Sequence, residues 1–131
     1  MTHRPTIERY MTPNPLTLSP GTEVNRAAAF LIKNNISGAP VTDETGRLIG
    51  ILTAKDCFRA VLHASYHQEL GGTVASYMVS PVETLDAGLD IISAAERFLA
   101  TPYRRFPVMK EGRLAGIITR LDLLRAFSRE W

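Results

Sequence analysis

The chain repeats itself, and that constrains its fold more than any other feature. Tyr10-Met11 returns as Tyr77-Met78, sixty-seven residues later, and so do Leu18-Ser19-Pro20-Gly21 as Leu85-Asp86-Ala87-Gly88 and Pro40-Val41 as Pro107-Val108. The run Gly46-Arg47-Leu48-Ile49-Gly50-Ile51-Leu52-Thr53 then matches Gly112-Arg113-Leu114-Ala115-Gly116-Ile117-Ile118-Thr119 at a spacing of sixty-six. Asp56 pairs with Asp122 and Arg59 with Arg125 at that spacing, so the second copy lacks one turn residue. Two copies are too few for a solenoid and fit a duplicated unit whose halves pack face to face.

Each copy reads as β-α-β-β-α. A short strand comes first, over 16–18 and 82–85. An amphipathic helix follows, with Val24, Ala27, Ala28, Leu31 and Ile32 in one copy and Ile91, Ala94, Ala95, Phe98 and Leu99 in the other at helical spacing. Asn34-Asn35 and Pro102 end these helices. A hairpin comes next (39–42 with 47–52; 106–109 with 113–118), its turns containing Gly46 and Gly112. A second helix closes each copy, from Ala54 to about Ala64 and from Arg120 to about Arg129. The expected organisation is one α/β (α+β) module over 1–131: a first motif at 7–64, a linker at 65–73 broken by Gly71-Gly72, and a second motif at 74–128 opened by a short helical lead-in. Three strands and two helices bury little alone, so the copies are expected to pair sheet to sheet with pseudo-twofold symmetry.

Composition narrows the function classes. The chain is 45% hydrophobic and 21% charged, as in an ordinary globular domain. A net charge of +2 without a basic run gives no footprint for nucleic acid. Apolar stretches such as Leu48–Leu52 are far too short to span a bilayer, and the first residues lack the apolar core of a signal peptide, so no membrane role and a cytoplasmic location are expected. The single cysteine, Cys57, excludes an internal disulfide and reads as a small buried group on a helix.

With two Tyr-Met starts, two Pro-Val strands and two Gly-Ile-(Leu/Ile)-Thr-x-x-Asp motifs, the chain resembles the CBS-domain family, specifically a tandem CBS pair (a Bateman module), from about Ile7 to Phe127. The resemblance implies two clefts between the motifs that hold AMP, ADP, ATP or S-adenosylmethionine as a regulatory ligand. It also implies a homodimer and an unidentified regulated protein. It calls for no cofactor and no catalysis, and leaves no room for an attached enzyme.

Thr53-x-x-Asp56 and Thr119-x-x-Asp122 fall where a strand turns into a helix. Free N–H groups there attract phosphate, and an ionised Asp can accept from the paired hydroxyls of a ribose. The same spacing also describes a capping box, with Thr as N-cap and an acidic residue closing the helix start. The residues leave both readings open, and the resemblance favours the ligand. Arg104-Arg105 precedes the strand 106–109, where copy one has Ser37-Gly38, so the charge is not duplicated. Two guanidinium groups can neutralise a phosphate. The resemblance implies crossed clefts: Thr84, Tyr103, Arg104 and Arg105 with Ile51, Thr53 and Asp56, and Thr17, Ile36, Ser37 and Gly38 with Ile117, Thr119 and Asp122. Ile51, Ile117, Ile36 and Tyr103 would wall the adenine.

The alternative is a structural dimerisation module without ligand. An enzyme is not expected, because no Ser-His-Asp or Cys-His arrangement, phosphate loop or paired catalytic carboxylates occur. His63 and His67 stand four apart and read as a polar helix end, since a metal would need a further ligand. Pro5, Pro13 and Pro15 read as turn and strand-start residues.

Overall fold

The computed structural model describes residues 4–67 and 71–130, and these form two compact units that do not follow the order of the repeats. One unit is Leu16–Val82, and the other joins Met1–Pro15 to Glu83–Trp131.

In the unit Leu16–Val82, α1 (Val24–Lys33) buries Val24, Ala27 and Leu31, the inward stripe that its spacing demands. It stops where Asn35 takes a left-handed φ of 53° and the Ile36 N–H donates to the Leu31 carbonyl at 3.0 Å. The hairpin of β2 (Gly38–Thr42) and β3 (Leu48–Thr53) turns at Asp43, whose Oδ1 accepts from the Thr45 and Arg47 N–H groups at 2.9 and 3.0 Å. Then α2 (Ala54–His67) and the short α3 (Val74–Tyr77) complete a core around Leu31, Ala39, Val41, Leu52, Ala60 and Val74.

The second unit carries β1 (Thr12–Pro13), β4 (Leu85–Asp86), α4 (Ile91–Ala100), β5 (Arg105–Lys110), β6 (Arg113–Thr119) and α5 (Arg120–Glu130). Its sheet runs β1-β6-β5-β4, antiparallel except for β4 on β5. Asp90 caps α4 by accepting from the Ser93 N–H at 2.9 Å. The core is aromatic: the ring centroids of Phe98 and Phe106 lie 4.9 Å apart, edge to face, beside Ile7, Val108 and Ile118.

The two lead-ins are equivalent. Val74 donates to the Thr22 carbonyl at 2.8 Å and Ala75 to Pro20 at 3.0 Å; at the matching positions Ile7 donates to Leu89 at 2.9 Å and Glu8 to Ala87 at 3.2 Å. The lead-in of each repeat thus completes the unit that contains the other repeat's hairpin. Val79 bridges Ile51 as Thr12 pairs with Ile117. Gly50 and Gly116 make room for this, because a Cβ at Gly116 would lie 2.7 Å from the Thr12 carbonyl oxygen and one at Gly50 would lie 2.9 Å from Met78 Cγ.

Three expectations need correction. The strand expected over 16–18 is a single parallel bridge of Leu18 to Val41, and that expected over 82–85 begins only at Leu85. The reason is the Pro-Val motif itself: extending either parallel pairing toward its N-terminus would need an N–H from Pro40 or Pro107, which have none. The second helix continues past Ala64 to His67, so the expected linker 65–73 starts inside α2; its residues 68–70 lie outside the described ones. Pro13, expected to sit in a turn or at a strand start, lies within β1.

Candidate functional site

Each strand-to-helix corner is built as a capping box. In the first copy the Thr53 N–H and hydroxyl donate to Asp56 Oδ2 at 2.8 and 3.0 Å, and the Asp56 N–H donates back to Thr53 Oγ1 at 3.4 Å. In the second, the Thr119 N–H donates to Asp122 Oδ2 at 2.9 Å and the Asp122 N–H to Thr119 Oγ1 at 3.1 Å. The capping reading of these residues therefore holds in both copies. In both, Oδ1 is the carboxylate oxygen that the cap leaves over.

That oxygen has a partner not singled out in the sequence. Arg59 donates to Asp56 Oδ1, and Arg125 to Asp122 Oδ1 at 3.1 Å. The signal was the three-residue spacing on one helix face, repeated in both copies. The corners differ in access: the Asp56 side chain is 2% exposed and that of Asp122 13%. A carboxylate fixed between a cap and a guanidinium is held in one rotamer, which suits its oxygen to accept hydroxyl hydrogen bonds.

The remaining candidates group by copy. Gly38 stands opposite Thr53 in the β2–β3 register, and the Ser37 carbonyl accepts from the Ala54 N–H at 2.9 Å. Arg105 stands opposite Thr119, and the Arg104 carbonyl accepts from the Arg120 N–H at 3.1 Å. Arg120 Nε also donates to the Tyr103 carbonyl at 3.2 Å, while the Tyr103 ring meets Phe106 edge to face with centroids 5.7 Å apart. Ser37, Arg104 and Tyr103 are exposed, and Arg105 is half-buried. Thr17 is exposed and Thr84 half-buried, each in the same compact unit as its own copy's corner. Ile36 packs on the core of its unit. Ile51 exchanges both backbone hydrogen bonds with Val79, at 3.1 and 2.9 Å, so its N–H is not available to a ligand; Ile117 is half-buried and pairs with Thr12.

Within the unit Leu16–Val82 there is a groove of about 490 Å³ whose lining includes neither Thr53 nor Asp56. Its lining includes Asn25, Cys57, Val61 and Ala64, where the second copy has the larger Ile92, Leu123, Phe127 and Glu130. Cys57 is buried there as expected, and that burial, with the neighbouring Asp56 carboxylate, pushes its thiol pKa up, away from nucleophilic use. Among the described residues no helix is long and apolar enough to cross a membrane.

Comparison with known proteins follows the same lines. The CBS domain family matches at residues 7–63 and again at 74–129. CBSX2, a CBS-pair protein of Arabidopsis thaliana, solved in complex with AMP, superposes with a TM-score of 0.85 at 28% identity, covering 95% of this chain and 97% of the other. The CBS domain pair of MJ0100, solved with 5-methylthioadenosine and S-adenosyl-L-methionine, gives 0.85 at 25% identity, covering 98% and 100%. Among curated sequences, MJ1225 of Methanocaldococcus jannaschii is 28% identical over 95% of this chain, and the inosine-5'-monophosphate dehydrogenase of Aquifex aeolicus is 34% identical over 90%. The chain spans only 44% and 24% of those two proteins.

Proposed function

Because the chain belongs to the CBS-domain family and carries two copies of the domain, we propose that it is a regulatory module that senses an adenosine-type ligand. AMP, ADP, ATP and S-adenosylmethionine are the ligands to test. The observation that carries this reading is the agreement over nearly the whole chain with CBS pairs that were solved with AMP and with S-adenosyl-L-methionine. The twin Thr-x-x-Asp corners support it, each offering a fixed carboxylate oxygen to ribose hydroxyls and a helix N-terminus to phosphate. The residues this reading assigns to ligand are Ile51, Thr53, Asp56, Thr17, Ile36, Ser37 and Gly38 in the first copy and Thr84, Tyr103, Arg104, Arg105, Ile117, Thr119 and Asp122 in the second. The module regulates and does not catalyse, and a cytoplasmic setting fits its one reduced, buried thiol.

A ligand that binds only the folded state raises the melting temperature. Millimolar AMP, ATP or S-adenosylmethionine is expected to do so, and no response to any of them would refute the sensor. Arg105→Ala is expected to weaken AMP and ATP about tenfold in calorimetric titration, the worth of one charge-assisted hydrogen bond to phosphate. Ser37→Ala is expected to leave both affinities within about threefold, since it removes no charge. Equal losses in the two variants would refute the asymmetry.

A specific observation also supports a homodimer. Equivalent helix positions in the two copies carry equally exposed apolar side chains: Ile32 at 80% and Leu99 at 89%, Phe58 at 66% and Leu124 at 64%. The shared fold repeats the exposure, and apolar side chains stand there in both copies; a second copy of the chain is the partner we propose for them. Phe58→Glu is expected to shift the sedimentation coefficient from dimer to monomer without lowering the melting temperature of the monomer. A parent chain that sediments as a monomer at micromolar concentration would overturn this. A ligand-dependent regulated protein would be a further polypeptide docking on the module.

A further inference from the structure

The last turn of α2 carries a feature that the nucleotide reading does not use. His63 and His67 are both exposed, and their ring centroids lie 4.5 Å apart at a tilt of 39°. A metal held at about 2.0–2.1 Å by a ring nitrogen stands roughly 3 Å from that ring's centre, so two imidazoles on one tetrahedral ion have centres roughly 5 Å apart. The observed spacing is slightly shorter, and a small rotation of either exposed ring closes the difference. Four-residue spacing on a helix is also how paired histidines present two nitrogens on one face.

The Tyr77 ring stands edge-on to His63 with centroids 6.3 Å apart and backs the imidazole from α3. The basic residues of α2, Lys55 and Arg59, lie one or more turns further back along the helix. Among the described residues no third histidine, cysteine or carboxylate joins the pair. The rest of the ion's shell is left to water or to a second copy of the chain.

We propose that His63 and His67 form a two-point site for a divalent cation of the class that prefers imidazole nitrogen, such as zinc(II). Bridging one helical turn, the ion would clamp the stretch of α2 between the two histidines.

Zinc(II) alone is the probe. The full chain is titrated by calorimetry in a His3→Ala background, so that the third histidine and the chain start do not compete. Saturable binding is expected, with one ion per chain or one per two chains. A rise in melting temperature of about 3 °C is expected at saturation. His63→Ala and His67→Ala should each weaken zinc at least tenfold, and both side chains are exposed enough for the variants to fold. The nucleotide response of these variants should match that of the parent, which separates this site from the sensor. No saturable zinc binding by the parent, or binding unchanged in both variants, overturns the proposal.

Discussion

Truncating Phe106 to alanine is expected to lower folding stability by about 4 kcal/mol, at the upper end of what a single core change does. The side chain is fully buried and is the largest in that class among the described residues. Its ring is met edge-on by Phe98 and by Tyr103, so truncation forfeits transfer energy, dispersion contacts and two aromatic pairs while leaving a cavity. Against a typical total of roughly 5–15 kcal/mol, such a loss leaves the variant close to unfolding. Urea denaturation should show a midpoint that falls while the slope is kept. A loss below about 1 kcal/mol would mean that the site collapses around the missing ring. The matching residue in the other repeat is Ala39, also fully buried, so the two cores reach closure with different side chains.

Gly116→Ala should be the second large effect, about 3 kcal/mol, against about 1 kcal/mol for Gly50→Ala at the matching position. The difference lies in what the new methyl group meets. At Gly116 it would come within 2.7 Å of the Thr12 carbonyl oxygen, which is backbone held in the β1–β6 pairing. At Gly50 the close neighbour is the flexible thioether of Met78, and the Val79 carbonyl oxygen stands off at 3.2 Å. A thioether can rotate away, whereas a paired strand can move only by breaking its pairing. Urea titration of the two variants side by side tests this, and equal losses would refute it.

Much of this was legible beforehand because it is local. Helical spacing marked α1 and α4, Gly46 and Gly112 marked the turns with φ of 84° and 78°, and Thr-x-x-Asp marked both helix starts. The shortened first strands were legible in principle, since Pro40 and Pro107 announce the missing N–H. What spacing could not show is partnership at long range. Nothing in Tyr10-Met11 or Tyr77-Met78 says which hairpin each lead-in will cover. The site behaved similarly. Its capping geometry follows from neighbours three residues apart, but the Arg59 and Arg125 partners were passed over because a helical arginine so often has no fixed contact.

The exchanged lead-ins give the chain a schedule. The segment Leu16–Val82 is continuous, so everything it needs has been synthesised once Val82 has emerged. The other unit draws on both extremities, and its opening stretch with Ile7 must wait, with an apolar side chain uncovered, until the final strands and helix have left the ribosome. At roughly 5–20 residues per second that wait lasts several seconds. The module therefore matures from its middle outward, and Ile7 is among the last of its core residues to be covered.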